Sequence, residues 1–446
     1  MKREMILLAF TMAAGTVLAE APMIGESVTM TPFKDRTDAF EISYTLSGAP
    51  AVVTVDIEEC ESGVWSSLGG ERIGVLAGDA NRVVHVLDRP SKAYWFMGKV
   101  RPDESGNGQY RAIVKAWPTN MPPDYMVVNL AGTCEDPVRW YATTNDLPGG
   151  FMSPDYRKTK LLMRRIPAAG VVWMMGYPRR YDDEDAASVN SPGHLVCLTE
   201  DYYMGVFEMT QGQHDILGHG NAATSYFFEG YDYPADRIGH GVVRGKYNTS
   251  PYNWPAGRDV DPNRTIGVLR ARSGIADFDL PTVARFEYAL RAGSRTGLPG
   301  DLEWTKANVE KYGVFKDNTD RTTGKYAKVG SKLPNAWGLY DMLGNLYERL
   351  LDRRTMGAPY AGLYRNSLAA GWLTGAITYD PIGPEAASSS DRGSVQMGGS
   401  YFDAWDSNEA KVGYQNNKSW DWTEHPTSEE PYLGYRVCCS VGAAVK

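Results

Sequence analysis

The stretch Asn335-Ala-Trp-Gly-Leu-Tyr-Asp-Met-Leu-Gly-Asn-Leu-Tyr-Glu348 decides the fold predicted for this chain, together with Met397-Gly-Gly-Ser-Tyr401 further along. In the first stretch a tight Gly-Asn turn lies between the acidic side chains Asp341 and Glu348, and such a turn can aim main-chain carbonyls inward. The second stretch leads into Tyr401-Phe-Asp-Ala-Trp-Asp-Ser-Asn-Glu409, which contains no cysteine. The acidic turn and the missing thiols are the two features from which fold and function are predicted.

Residues 1–19 have the pattern of a secretory signal peptide. A basic start, Lys2-Arg3, precedes an apolar stretch from Met5 to Leu18, and small residues follow in Val17-Leu-Ala19. The apolar stretch is too short to span a bilayer. We therefore expect an exported protein, either periplasmic, extracellular or at the cell surface, and we expect no transmembrane segment in the rest of the chain.

The composition argues against nucleic acid as a partner. The formal net charge is -8, and the chain has no run of basic residues that would attract phosphates. The same reasoning excludes anionic lipid as a favoured partner. The chain has 446 residues, of which 43% are hydrophobic, so it is long enough for two or three domains that each bury a core.

Five cysteines follow the predicted signal peptide: Cys60, Cys134, Cys197, Cys438 and Cys439. In an oxidising compartment they form at most two internal disulfides, and the sequence does not give the pairing. Because successive side chains of a strand point to opposite faces, we expect only one of Cys438 and Cys439 to face a core. No Cys-x-x-Cys pair is present, which argues against a zinc ribbon or a thioredoxin-like site.

Residues 20–117 predict an all-β sandwich of immunoglobulin or fibronectin type that serves as a spacer or docking module. Short alternating runs are broken by Gly, Pro, Asp and Asn, as such a sandwich requires. The runs are Phe40 to Tyr44, Val52 to Ile57, Val83 to Leu87, Tyr94 to Val100 and Tyr110 to Ala116. Three prolines between Trp117 and Asp124 hold the chain extended, so residues 118–150 are predicted as a linker and residues 151–446 as the second domain.

Two helices are predicted in the second domain. Leu280 to Gly293 has Thr282 as a plausible N-cap, helix-forming residues behind it and a glycine where the helix ends. Arg285 stands where an acidic residue would complete a capping box. A second, shorter helix is predicted to begin near Thr210.

Six segments between Leu161 and Val437 resemble, in order, those of the formylglycine-generating, sulfatase-modifying-factor domain family. They are Met163-Arg-Arg-Ile-Pro with Trp173-Met-Met-Gly176, His194 to Gln211, Leu280-Pro-Thr282 with Glu287-Tyr-Ala289, Asn335 to Glu348, Gly398-Gly-Ser-Tyr401, and Gly434-Tyr-Arg436. Members of the family oxidise a cysteine of sulfatases with a copper ion held by two cysteines just after the Gly-Gly-Ser segment. The resemblance implies the family's α+β, C-type-lectin-like fold, with a compact core and long loops.

The resemblance also implies a calcium site. Asp341 and Glu348 would supply carboxylate oxygens, and Gly344 and Leu346 would supply main-chain carbonyls, which together make the oxygen-rich set that a hard cation prefers. The alternative is that the two carboxylates are solvated or capping groups. We carry calcium forward as the expected cofactor.

At the position that the resemblance implies for the reactive centre, Ser400 matches the family's serine. Asp403 and Asn408, however, stand where the two cysteines are expected. Soft thiolates select copper(I), whereas a carboxylate and an amide do not hold that ion. We therefore expect no copper and a site degenerate for catalysis. The alternative hypothesis is a sulfatase-maturing oxidase that uses ligands of another kind.

Aromatic residues crowd the segment that borders the family's substrate groove. They include Tyr401, Trp405, Trp420, Trp422 and Tyr432. Flat aromatic faces bind sugars and peptide side chains with little loss of side-chain entropy. We therefore expect a groove that binds a peptide, glycan or protein ligand, although packing of a loop-rich core is the alternative role for these rings.

Overall fold

The computed structural model describes residues 20–34, 36–97, 109–132, 136–176, 193–219, 230–245, 259–319, 325–354, 377–382, 393–407, 410–412 and 432–445. The predicted signal peptide lies outside the described residues, as do Cys134, Asn408, Trp420 and Trp422. Within the described ranges, no helix has both the length and the apolar character needed to cross a membrane.

The N-terminal part of the chain forms two antiparallel sheets. Its strands are β1 (Met23–Ile24), β2 (Thr29–Phe33), β3 (Arg36–Ser47), β4 (Ala51–Glu61), β5 (Val64–Ser67), β6 (Val75–Gly78), β7 (Arg82–Val84), β8 (Pro90–Phe96) and β9 (Gln109–Pro118), with the short helix α1 (Gly69–Arg72) after β5. One sheet has the order β1-β3-β8-β6 with β2 beside β3, and the other has the order β5-β4-β7 with β9 beside β4.

One apolar cluster joins the two sheets. Val53, Val55 and Ile57 alternate along β4, so they share one face and pack with Ile42 of β3 and Trp95 of β8. Every alternating run predicted in this region overlaps one of these strands. The two sheets therefore share one apolar core, and the immunoglobulin or fibronectin type of this domain stays a prediction.

The second part of the chain mixes strands and helices. Its strands are β10 (Tyr125–Asn129), β11 (Val138–Tyr141), β12 (Lys160–Ile166), β13 (Val172–Met175), β14 (His194–Cys197), β15 (Tyr202–Gly205), β16 (Gly313–Val314), β17 (Leu343–Gly344), β18 (Tyr347–Arg354), β19 (Thr378–Tyr379), β20 (Gly393–Met397), β21 (Leu433–Gly434) and β22 (Cys438–Ser440). A five-stranded antiparallel sheet of order β11-β10-β12-β15-β22 is its centre, and smaller sheets of order β13-β14-β19, β16-β17 and β20-β18-β21 surround it.

The helices of this part are short. They are α2 (Asp155–Lys158), α3 (Gln211–His214), α4 (His240–Val243), α5 (Thr265–Ser273), α6 (Val283–Arg291), α7 (Lys306–Val309) and α8 (Val441–Ala444), with 3₁₀ turns at Thr144–Asp146 and Pro299–Asp301 and a π turn at Asp215–His219. Both predicted helices are confirmed. Thr282 caps α6 by accepting from the amide of Arg285 at 3.2 Å, and Thr210 caps α3 in a capping box with Gln213.

The segment that we expected to be an extended linker, residues 118–150, contains strands β10 and β11 instead. Four of the five residues of β10 are buried, and its register pairs Val127 with Leu162 of β12. The prolines precede this apolar strand and do not interrupt it. The sandwich packs directly on the sheet, because Val52 joins the same apolar cluster as Trp140, whose amide donates to the carbonyl of Asn81 at 2.9 Å.

The expectation for the vicinal cysteines is wrong, because both are buried. Cys438 packs in one apolar cluster and Cys439 in another, since both faces of the five-stranded sheet are covered. The four described cysteines, including Cys60 and Cys197, are free thiols. The structure therefore shows no disulfide bond among the cysteines that it describes.

Candidate functional site

The segment from Asp341 to Glu348, called here the carboxylate turn, has the tight geometry that the sequence predicts. Asp341, Gly344 and Asn345 all have positive φ, at 54°, 70° and 56°. A Cβ on Gly344 would lie 2.4 Å from the carbonyl oxygen of Val314, so only glycine fits where β17 approaches β16.

A buried ion pair fixes the end of this turn. Both carboxylate oxygens of Glu348 accept hydrogen bonds from Arg436, with Nε to Oε2 at 2.6 Å and Nη2 to Oε1. The Arg436 side chain is fully buried and also donates to the carbonyls of Gly205, at 3.1 Å, and Tyr340, at 3.0 Å. The guanidinium therefore ties the turn to strand β15 of the central sheet.

Glu208 is a third buried carboxylate in this cluster, and sequence reasoning missed it. It accepts from the amide of Leu346 at 3.0 Å and from Nδ2 of Asn345 at 2.5 Å. Glu208 and Arg436 both lie in segments that carry the family resemblance. Their spacing in sequence, however, gives no sign that they meet at the carboxylate turn.

Burial and mutual repulsion make these carboxylates hard to ionise. Burial raises the pKa of Asp341 to about 6. Burial, with the negative charges of Asp341 and Glu348, raises the pKa of Glu208 well above its usual value, and burial also raises the pKa of Glu348. When all three are ionised, their negative charge exceeds the charge of the two cations that act on them, Arg436 and Arg157, and a bound proton or cation would relieve the excess.

The negative charge of the cluster and one oxygen atom of Asp341 are suited to a bound cation. Asp341 accepts from the amide of Gly330 at 2.7 Å through Oδ2, while its buried Oδ1 has no hydrogen-bond partner in the described part of the chain. Glu348 is shared with Arg436. No group of three or more His, Cys, Asp or Glu side chains among the described residues has the arrangement of a metal site. Calcium at Asp341, Gly344, Leu346 and Glu348 thus stays a prediction, although the two carboxylates are buried and not solvated.

The residues after the two glycines form a closed polar turn, called here the serine loop (residues 400–407). The buried Ser400 donates through Oγ to Oδ2 of Asp403 at 2.7 Å and through its amide to the same oxygen at 2.9 Å. The amide of Lys316 donates to the carbonyl of Asp403 at 2.9 Å. Asp403, one of the positions where the resemblance implies a cysteine, therefore uses its carboxylate to hold the loop together.

The aromatic side chains near the serine loop divide into buried and exposed ones. Tyr401 is 3% exposed, with its ring 5.7 Å from that of Tyr326, so this member of the predicted groove packs in the core. Trp405 is partly buried against the core. Phe402, which the prediction did not include, is 66% exposed and stacks on Tyr432 with centroids 6.0 Å apart.

Comparison with models of protein families agrees with the resemblance in sequence. The family model of the sulfatase-modifying factor enzyme 1-like domain matches residues 160–441. The structure of PvdO from Pseudomonas aeruginosa is 18% identical, with a TM-score of 0.43 over 63% of this chain and 94% of that one. The crystal structure of CarF is 15% identical, with a TM-score of 0.33 over 62% of this chain and 98% of that one. No curated protein matches the chain. Because the family model covers more than half of the residues, the chain belongs to the family of the sulfatase-modifying factor enzyme 1-like domain.

Proposed function

We propose that the chain is an exported member of this family that binds a peptide, glycan or protein ligand and does not form formylglycine. The observation that carries the proposal is the hydrogen-bonded pair of Ser400 and Asp403, at 2.7 Å, in the loop where the resemblance implies copper-binding thiols. A carboxylate held by a hydroxyl and an amide is a hard ligand that does not select copper(I).

A small aromatic surface beside this loop supports the binding role. The exposed ring of Phe402 stacks on Tyr432, and Tyr432 in turn packs edge-on against Tyr347, with centroids 6.0 Å apart. Exposed aromatic rings on a rigid base give large contact area at low entropic cost. We call the rings of Phe402, Tyr432 and Tyr347 the aromatic ladder, and we propose that the ligand binds there.

Array binding tests this placement. The purified chain is applied to a glycan array and to a peptide array, and the strongest hit is titrated against wild type and Phe402→Ala. We expect the variant to lose at least about tenfold in affinity, since a hot-spot aromatic contributes about 2 kcal/mol or more.

Phe33→Ala is the matched control. Phe33 is also exposed, at 38%, and lies near Tyr94, but it belongs to the sandwich. Binding should be unchanged in this variant. An affinity that is the same in wild type and in Phe402→Ala would rule out the aromatic ladder as the binding surface.

Export and the sandwich form a second part of the proposal. The signal-peptide pattern of residues 1–19 supports secretion, and the two packed sheets support a docking or spacer role for an immunoglobulin- or fibronectin-like domain. N-terminal sequencing of the exported protein tests the first point. Recovery of a chain that still begins at Met1 from the cytoplasm alone would contradict it.

Calcium binding at the carboxylate turn is proposed on the surplus negative charge and on Asp341 Oδ1. Saturating calcium should raise the melting temperature of the wild type by a few degrees, because a ligand that binds only the folded state stabilises it. Asp341→Asn should lose most of that response, whereas Asp155→Asn, at an exposed carboxylate that pairs with Lys160, should keep it. An equal response in wild type and in Asp341→Asn would exclude the site.

The alternative function, sulfatase maturation, rests on family membership. It needs thiols or other soft ligands at the serine loop. The described thiols lie elsewhere: Cys60 in β4, Cys197 in β14, and Cys438 and Cys439 in β22.

A further inference from the structure

A cleft of about 180 Å³ lies at the junction of the two domains. The sandwich contributes its β4 wall and the segment around Ile73 and Leu76, and the second domain contributes Tyr141 of β11 and the turn at Asp146 and Pro148. The cleft has room for several water molecules or for one small organic molecule. Domain junctions are frequent places for small-molecule sites, so the chemistry of the lining decides what fits.

Two carboxylates border the cleft from opposite domains. Asp56 is half-buried on the outer face of β4 and accepts from the hydroxyl of Ser67 at 2.9 Å. Asp146 accepts from the amide of Thr143 at 2.8 Å and from its hydroxyl at 2.9 Å, both through Oδ2. A carboxylate offers about four acceptor positions, so each retains acceptor capacity toward the cleft.

Tyr141 supplies the complementary group. Its side chain is only 9% exposed, and burial raises the pKa of its hydroxyl to about 12, so the proton stays on the oxygen. The Tyr141 hydroxyl can therefore donate one hydrogen bond and accept another. Asn81 also lines the cleft, and its side-chain oxygen accepts from the amide of Val55 at 3.0 Å.

We infer that this cleft binds a single sugar residue through Asp56, Asp146 and Tyr141. Sugar hydroxyls both donate and accept, so they satisfy the two carboxylates and the Tyr141 hydroxyl together. The apolar side chains of Ile73 and Leu76 then cover the carbon-bearing face of the ring. This site is separate from the aromatic ladder at Phe402 and does not rest on the proposed function.

Other ligand classes fit the lining less well. An anion would face two carboxylates, and Arg139, the cation that lines the cleft, already pairs with Asp136 at 2.8 Å. An ammonium ion only donates hydrogen bonds, so it would not accept one from the Tyr141 hydroxyl. A metal ion would need more ligands, because the described residues contain no group of three or more His, Cys, Asp or Glu side chains arranged for one.

Ligand-observed NMR of the full chain with a panel of neutral monosaccharides tests the inference, with putrescine and citrate as charged comparators. At least one sugar should bind the wild type with a dissociation constant in the millimolar range or tighter. Asp56→Asn and Tyr141→Phe, which conserve size, should each weaken that sugar at least about tenfold.

Glu58→Gln is the matched control, because Glu58 also lies on the outer face of β4 but pairs with the exposed Arg111 away from the cleft. The control should bind the sugar as wild type does. Failure of every monosaccharide, binding of a charged comparator in place of sugars, or equal sugar affinity in wild type and both cleft variants would overturn the inference. A loss of ligand binding in Phe402→Ala does not change the results expected for the cleft. The two proposed sites are therefore tested independently.

Discussion

The carboxylate turn and the serine loop lie in neighbouring parts of one domain, yet their carboxylates have different hydrogen-bond partners. In the carboxylate turn Glu348 and Arg436 form a fully buried ion pair, with Glu208 beside it. In the serine loop Asp403 bonds to a hydroxyl and an amide of Ser400, and no cationic side chain pairs with it in the described part of the chain. The first region tolerates little change, because removal of one charged partner leaves the other buried without compensation. The second is a local turn that can change its chemistry without disturbing the core.

The largest effect expected from this contrast is the loss of Arg436. Arg436→Met leaves Glu348 as a buried and unpaired carboxylate, which typically costs about 3–5 kcal/mol. Denaturant unfolding measures the change. The variant should be much less stable than wild type or should fail to accumulate as folded protein.

Two further variants show that the pairing is responsible. Glu348→Gln combined with Arg436→Met removes both charges and should be less destabilising than Arg436→Met alone. Lys160→Ala, which breaks a solvent-accessible pair with Asp155, should cost about 1 kcal/mol or less. A double variant that is as unstable as the sum of its single variants would contradict the pairing.

The next effect concerns the backbone of the carboxylate turn. Gly344→Ala forces a positive φ on a side-chain-bearing residue and places its Cβ 2.4 Å from the oxygen of Val314, so we expect a loss of about 2–4 kcal/mol. Gly170→Ala is the control, since its φ of +74° is similar but nothing lies within 4 Å. That variant should lose about 1 kcal/mol. Equal losses would show that the close approach of β16 and β17 has no energetic importance.

The smallest effect is expected in the serine loop. Ser400→Ala removes the hydroxyl that donates to Asp403 at 2.7 Å and accepts from the amide of Phe402 at 3.2 Å, and should cost about 1–2 kcal/mol in thermal or chemical unfolding. Ser407→Ala, in the same loop, removes a buried hydroxyl without a partner among the described residues and should be neutral. A loss at Ser400 as large as that at Arg436 would remove the distinction between the two regions.

The sequence predicted those features that depend on neighbouring residues. Thr282 and Gly293 marked the ends of α6, and Gly344-Asn345 marked a turn with left-handed residues. Capping and positive φ are local properties, so the identity of the residue is enough to indicate them. The alternating runs of the sandwich belong to the same class.

Features that depend on contacts between distant segments were missed. Glu208 and Leu346 are 138 positions apart, and their hydrogen bond follows from the fold alone. Three prolines predict a linker at residues 118–150, but the short apolar run after them forms strand β10 because it pairs with the distant strand β12. The aromatic pattern predicts Tyr401 in a groove, but its ring is buried in the core, whereas the ring of its neighbour Phe402 is exposed. Sequence spacing does not distinguish these cases.

Copper loading combined with peptide mass spectrometry tests most directly whether the serine loop has lost the family's oxidation chemistry. The purified full chain is incubated with copper(I), challenged with a competing chelator, and then given a Cys-x-Pro-x-Arg peptide and dioxygen. A family member that carries both cysteines serves as the positive control. We predict that the chelator removes all copper and that the peptide keeps its thiol. One retained equivalent of copper, with conversion of the cysteine CH₂–SH to an aldehyde, would contradict the proposal.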